Sequence, residues 1–491
     1  MKKSVGTGFA VVAIVLLFVS PSFASEWQIV GPRALGMGGA NVAVADDATA
    51  SYWNPGAFGF FKNPEEGGDY GSRSWSGQLG AGVGVQTHEN LVQQIDNISK
   101  FDFDALSTGP LNANQVSNFI QLVDALRGFD ENKNRAVSIL ANTGLRTQVG
   151  HFGFGVTGLV DVSSKGDIDL ENIAPVSGAP TFSIDDFTDP ASFGCTPCPS
   201  NPSGGLDDSQ RSDIDGHLTD LGWTPQQRTN YIDSMDNGFV ASGVAPTAQN
   251  VEQIKNVATT ADLAAGAGGA ISNNTSSLVF KGIGLVEVPL TYGRAVTDDL
   301  AIGGNLKYMK ARVYDFETRV FGDDFGDKLD KALDDYTEKT NVGIDLGGLY
   351  RFGDDLRVGL VVRNLNAPKF GSIRQNPQLR TGVAYKPMRF VTLAADLDLT
   401  RNDTPIGGDF KSQNIAAGIE LRLLKILMLR GGLYRNLAEN DIGLVYTAGL
   451  GLNLWLVNLD VGAAMSKDKT DFDGDEIPEE VRLAFALSML F

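Results

Sequence analysis

The chain has 491 residues with 58 glycines, two cysteines, three histidines and a formal charge of -19, and its pI is about 4.6. That acidity excludes a nucleic-acid binder, because a phosphate backbone demands basic faces. A mean hydropathy of -0.07, with no long apolar run after the first 20 residues, excludes a helical membrane protein. It does not exclude a β-barrel, whose strands carry their lipid face in alternation.

Residues 1–24 read as a signal peptide: Lys2 and Lys3 form a basic start, Val11 to Val19 an apolar stretch, and Ser22-Phe23-Ala24 a small-residue cleavage site. Export to an oxidising compartment follows. Residues 25–72 form a separate N-terminal unit. Its Gly36, Gly38 and Gly39 let the backbone turn where side chains would clash, and Asn54-Pro55 forces a second turn. Lying before the first strand, the unit is either a periplasmic tail or a plug folded into a barrel.

From residue 73 onward the pattern has period two. We read strands at 74–87, 136–150, 151–163, 276–296, 299–316, 338–352, 355–367, 376–387, 389–402, 411–424, 425–437, 441–454, 455–466 and 480–491. Tight connections alternate with longer ones, among them 88–135, 164–275 and 317–337. That sorting is the signature of an outer-membrane barrel. The faces agree with it: Ile415, Ile419, Leu421 and Leu423 alternate with Asn414, Glu420 and Arg422, and Leu393 and Leu397 with Asp396 and Asp398. Apolar residues on one face and small or charged ones on the other suit a strand between lipid and a polar lumen. Within the long loops, helical spacing predicts helices at Asn90–Phe101, Ala113–Leu126, Gln226–Met235 and Lys328–Tyr336. Residues 175–213, rich in Pro, Ser, Gly and Asp, read as irregular.

Cys195 and Cys198 sit in that irregular loop. No βαβ pattern surrounds them, so a disulfide tightening a surface loop is favoured over a redox centre. His88, His151 and His217 have no serine or cysteine partner in a recognisable motif, and no enzyme is expected. Asp471, Asp473, Asp475 and Glu479, around Gly474, form a loop of alternate carboxylates. It is either a calcium site or a solvated acidic loop; no other cofactor is expected. The final strand places Val481, Leu483, Phe485, Leu487, Met489 and Phe491 on one face. A strand ending on an aromatic residue resembles the signal by which barrel-assembly machinery recognises its clients, with Phe485, Leu487, Met489 and Phe491 carrying it.

The fold class is therefore all-β transmembrane: an antiparallel outer-membrane barrel of about 14 strands, with an N-terminal plug and partly helical extracellular loops. The motifs Gly36-Met37-Gly38-Gly39-Ala40, Asp46-Asp47-Ala48 and Trp53-Asn54-Pro55, together with Val362 to Phe370, resemble those of the long-chain fatty-acid transporter family (FadL/TodX type). They are closer still to the related barrels called conjugal-transfer TraF-type proteins. That resemblance implies a hatch built on Gly36–Gly39, Asp46, Asp47, Trp53, Asn54 and Pro55. It also implies passive uptake of hydrophobic small molecules such as long-chain fatty acids, with outer-membrane lipid as the surroundings. Two departures stand out: this chain has Asn-Pro-Gly where the family has Asn-Pro-Ala, and the loop 164–275 has no counterpart. Two other functions remain open, a structural component of a conjugal-transfer or secretion assembly and a diffusion pore lined by Asp396, Asp398, Glu420, Arg422 and Arg430. A deep apolar pocket would favour uptake, a lumen sealed by paired charges the assembly, and a continuous wet channel the pore.

Overall fold

The computed structural model describes residues 26–62, 74–87, 123, 126–127, 137–173, 183–193, 205–243, 245–266, 273–319, 336–406, 411–424, 426–439, 443–472 and 475–490. The signal-peptide segment, Cys195 and Cys198, Asp473, Phe491, the helix expected at 90–101 and all but Tyr336 of the one expected at 328–336 lie outside them.

Among these residues fourteen strands close into one antiparallel barrel. They are β1 Trp75–Thr87, β2 Val137–Val149, β3 Phe152–Asp167, β4 Ser277–Ala295, β5 Leu300–Arg319, β6 Tyr336–Phe352, β7 Leu356–Arg363, β8 Gln378–Met388, β9 Val391–Asp398, β10 Asn414–Leu423, β11 Leu427–Asn436, β12 Val445–Leu454, β13 Val457–Ser466 and β14 Glu480–Leu490. Each strand pairs with its neighbours in chain order, and β14 closes onto β1 from Ser76↔Leu490 to Gln86↔Glu480. Closure leaves no edge, which a membrane requires because lipid cannot satisfy a free N–H or C=O. The fourteen strands are those read from the alternation. Tyr336 opens β6, where helical spacing placed a helix end.

The alternation becomes two surfaces. In β14, Leu483 and Phe485 are 54% and 63% exposed on the outside, while Ala484 and Ala486 are 4% and 3% exposed within. Leu79, Val83, Leu145, Leu290, Leu306 and Leu360 extend the exposed apolar belt around the wall. Aromatic rings gather near the short-turn rim, where Phe152 and Tyr292 lie 4.9 Å apart and Tyr350 and Phe352 4.5 Å apart. Such girdles mark the level of the lipid headgroups. A strand needs about 9–11 residues to cross a bilayer. With 16 to 20 residues, β3 to β6 therefore rise beyond it on the long-loop side.

Between β3 and β4 the chain leaves the wall to build helices Asp208–Asp220, Pro225–Ser242 and Ala248–Gly266. Their core holds Ile214, Leu218, Trp223, Tyr231, Ile254, Ala258 and Ala261. Capping boxes at Asp207/Gln210 and Thr224/Gln227 start the first two, each satisfying two otherwise free backbone donors. The first of these helices, with the short helix Ile184–Phe187, corrects the irregular reading of 175–213: the cap outweighed the polar composition. Ala248–Gly266 was not foreseen; its buried face sets Ala258, Ala261 and Ala264 beside Val251, Ile254 and Thr260. Burial among these helices pushes the Tyr231 phenol well above its ordinary range.

The base of this excursion is clasped by Asp169. Slight burial raises its carboxyl, but hydrogen bonds from Asn172 and Thr275, side chain and backbone alike, outweigh that and hold it at about 2. A carboxyl depressed on folding stabilises above its unfolded value and loses that contribution as pH falls through the folded one. Hydrogen-exchange protection of the Asn172 and Thr275 amides is accordingly expected to hold from pH 7 to about 4 and to collapse near pH 2. In Asp169→Asn that pH dependence should vanish; a variant with the wild-type profile would show that another group clasps the loop.

Candidate functional site: the plugged lumen

Residues 26–62 run inside the barrel. Trp27, Val30, Leu35, Met37, Val42, Trp53 and Phe58 are each at most 3% exposed and share one core with inward wall residues such as Ile283, Met309, Val361 and Ala416. Burying such side chains stabilises by about 1.5–3 kcal/mol each, which a tail in water would forgo. The alternatives left open by the sequence resolve to a plug.

The wall accommodates the plug's backbone by omitting side chains. A methyl group at Gly418 would lie 2.4 Å from the Met37 carbonyl oxygen, at Gly432 2.5 Å from the Gly38 nitrogen, and at Gly303 2.2 Å from the Pro55 carbonyl oxygen. Gly462 faces the Pro32 carbonyl in the same way, while Gly347 makes room for the Asn54 side chain and Gly153 for the Phe58 ring. The plug thus passes from β13, at mid-height, round to the short-turn ends of β3 to β6. Each seat is an inward position of a strand, where alternation calls for a small residue.

The residues expected to form a hatch make distinct contacts. Helix Pro32–Gly36 ends on Gly38 and Gly39, whose φ of 69° and 90° are left-handed and cheap only for glycine. The Thr447 hydroxyl donates to the Gly36 carbonyl at 3.2 Å and accepts from the Gly38 N–H at 3.0 Å. Asp46 binds Arg33 at 2.6 Å, and Asp47 accepts from the Thr49 N–H at 2.8 Å. The Trp53 indole donates to the Val30 carbonyl at 3.0 Å, tying the two halves of the plug. The Asn54 amide donates to the Val42 and Gly348 carbonyls at 3.1 and 3.0 Å, binding plug to wall. The Asn-Pro-Gly departure has a local reason: a methyl group at Gly56 would lie 2.9 Å from both the Gly347 oxygen and the Gly348 Cα.

Charged side chains complete the seal. Glu420 receives Arg33 at 2.9 Å and Arg430 at 2.8 Å, with Arg422 at 2.9 Å, and Arg430 reaches Asp460 at 2.6 Å. Across the lumen, Lys307 sits 2.9 Å from both Glu287 and Asp345, and Arg363 holds Glu287 at 2.9 Å. Arg363 and Arg380 lie over plug rings, 4.1 Å from Tyr52 and 4.7 Å from Trp27. Arg380 pairs with Asp398, and Asp396 accepts from the Asn41 and Val42 N–H groups at 2.8 and 2.9 Å. The five polar residues read as pore lining thus face the lumen, Asp396 and Glu420 engaged with the plug, Arg422 and Arg430 with Glu420, and Asp398 with Arg380. Arg363 and Asn364, within the Val362 to Phe370 motif, belong to the Lys307 cluster; the Asn364 side chain accepts from Lys307 at 2.8 Å.

Sequence reasoning missed Arg33, Lys307, Glu287, Asp345 and the glycine seats. The available signal was a charge or a glycine at an inward strand position, but several of the partners lie hundreds of residues away, as Glu420 does from Arg33. The remaining candidates fall elsewhere. His151 is bonded to the Phe58 carbonyl and His217 to Thr259, both at 2.8 Å. Asp471 and Asp475 belong to a hairpin, Lys469–Phe472 with Asp475–Pro478, and Glu479 is buried at its foot. Among the described residues no group of three or more His, Cys, Asp or Glu side chains stands ready to hold a metal ion.

An apolar belt, a closed wall and a polar lumen filled by the N-terminal segment define an outer-membrane barrel with an internal plug. Residues 51–398 match the family described as "F plasmid transfer operon, TraF, protein", and the chain belongs to that family. No curated protein matches the sequence. Solved structures resemble it at 10% identity: the P. putida toluene transporter TodX (TM-score 0.43, covering 95% of this chain and 99% of that one), the CymD monoaromatic hydrocarbon channel (0.41, 95% and 99%) and a Pseudomonas aeruginosa FadL homologue (0.41, 96% and 99%).

Proposed function

We propose that the barrel is a passive conduit for hydrophobic small molecules, long-chain fatty acids among them, closed at rest by its plug and opening sideways between β3 and β4. The observation that carries this is a break in the wall. The β3–β4 ladder runs from Phe152↔Tyr292 to Phe154↔Leu290 and resumes only at Thr157↔Glu287. Pro289, opposite Gly155, has no N–H to donate, and Gly155 contributes no side chain. Outside the gap, Phe154, Val156 and Leu290 are 54%, 41% and 57% exposed. An apolar solute favours lipid over water by about 0.8 kcal/mol per CH₂, so a sideways exit suits it better than a wet channel. The hatch motifs, which resemble those of the fatty-acid transporters, point the same way.

Uptake of radiolabelled oleate into vesicles with a lipopolysaccharide outer leaflet tests this. The barrel should accelerate uptake over protein-free vesicles, deletion of residues 26–62 should add leakage of polar solutes, and Pro289→Val, restoring the missing donor, should slow oleate alone. Equal uptake by Pro289→Val and wild type removes the sideways exit; no acceleration by any variant removes the conduit.

A second reading, a structural component of a conjugal-transfer or secretion assembly, is favoured by the paired charges that close the lumen and by the family's description. Oleate uptake at the protein-free rate, with a plug that stays seated, is the result that would favour it.

A further inference from the structure

On the outer wall the apolar belt stops abruptly at one level. Toward lipid, β5 presents Ile302, Leu306 and Tyr308, and β6 presents Leu346, Ile344 and Val342, all exposed. The next outward positions are Lys310 and Arg312 on β5, paired with Thr340 and Glu338 on β6. Leu300, at the foot of β5, pairs with Tyr350 of the aromatic rim. From that rim to Lys310 a tilted strand climbs about 25 Å, which is the height of the apolar band in such barrels. Lys310 and Arg312 therefore stand at the headgroups of the outer leaflet, on the long-loop side. We infer that they bind the phosphate of a phosphorylated glycolipid in that leaflet, one of the lipid A type.

Charge and shape both fit such a headgroup. Glu338 lies 2.8 Å from Lys310 Nζ and 3.0 Å from Arg312 Nε, so two cations share one carboxylate. Asp315, of opposite parity on β5, is paired with Lys281 at 3.6 Å. The Lys310 and Arg312 side chains stay 46% and 51% exposed, and an ammonium and a guanidinium carry more donors than one carboxylate uses. Phosphate oxygens accept strongly from both groups. The Arg312 guanidinium lies 4.4 Å over the Tyr336 ring, and Tyr314 stands 5.9 Å from that ring. Rings with an apolar body and a polar tip belong at this depth. On the β4 side the neighbours are Val286, opposite Lys310, and Gly284, opposite Arg312. A methyl group at Gly284 would meet nothing nearer than the Tyr314 ring at 3.8 Å, so the wall is low there and a headgroup can lie against it. A free phosphate would leave Val286, Leu306 and Val342 uncovered, whereas the acyl chains of a lipid cover them. The site goes beyond the uptake proposal and stands whether or not oleate crosses the wall.

Native mass spectrometry of the full-length barrel released from detergent, with hexa-acylated lipid A as the probe, tests this. Lipid A should stay bound to the wild type, and its dephosphorylated form should bind about tenfold or more weakly. Lys310→Gln/Arg312→Gln should weaken lipid A by a similar factor. Glu338→Gln, which frees both cations, should tighten it, and Lys469→Gln, an exposed cation of the hairpin, should change nothing. The inference is overturned if the double variant binds lipid A as the wild type does, or if the dephosphorylated lipid binds as well as the phosphorylated one. Phosphatidylglycerol binding as tightly as lipid A through the same two residues would also overturn it, marking attraction to any anionic lipid.

Discussion

Leucine at Gly418 is expected to unseat the plug while leaving the barrel closed. The added side chain would begin 2.4 Å from the Met37 carbonyl oxygen, whereas ordinary carbon contacts lie at about 3.5–4.0 Å. Because the obstacle is backbone held by the Thr447 hydroxyl, no rotamer relieves it. The wall can tolerate the change, since Gly418 pairs with Ala394 and Gly432 through its own backbone. In planar bilayers the wild type should stay near baseline, and Gly418→Leu should pass the large steady current of an unplugged 14-strand barrel. Gly432→Leu, 2.5 Å from the Gly38 nitrogen, should behave alike. Folded leucine variants as silent as the wild type would mean that the plug has another seat.

The second large effect concerns Glu420. Its side chain is fully buried beneath Arg33, Arg422 and Arg430, so Glu420→Ala strands cations in the lumen. Removing one partner of a buried pair costs about 3–5 kcal/mol. Replacing both with apolar groups is often neutral. A marked fall in the detergent melting temperature of Glu420→Ala is expected, with part of it recovered in Arg33→Ala/Glu420→Ala, which withdraws one stranded charge. Equal melting of Glu420→Ala and wild type would show that these arginines are hydrated. The arrangement also predicts where the plug loosens first, because Arg33 is its one charged tie to β10 among the described ion pairs.

Much of the barrel was legible because its information is local. Lipid on one side and plug or lumen on the other impose a period of two, so β9 and β10 announce both faces within ten residues. Turn chemistry at Gly150 and Gly353 then separates the strands. The hatch motifs were legible as motifs for a related reason: Gly38 and Gly39 are required by their own backbone angles.

Other features had no local trace. The first half of the plug bears on β10 to β13, hundreds of residues ahead, and nothing in GMGGA names Gly418 or Gly432 as its seat. Lys307 meets Glu287 and Asp345 across neighbouring strands, while Arg363, on β7, reaches Glu287 on β4 only because the wall curves. β1 and β14, at opposite ends of the chain, become neighbours only when the wall closes. What the sequence determined alone was a set of strands with two faces, since alternation along one strand needs no partner. Which inward residues touch, which charges cancel and where space is left were decided by the tertiary structure, because closing a barrel sets residues hundreds of positions apart within a few ångströms.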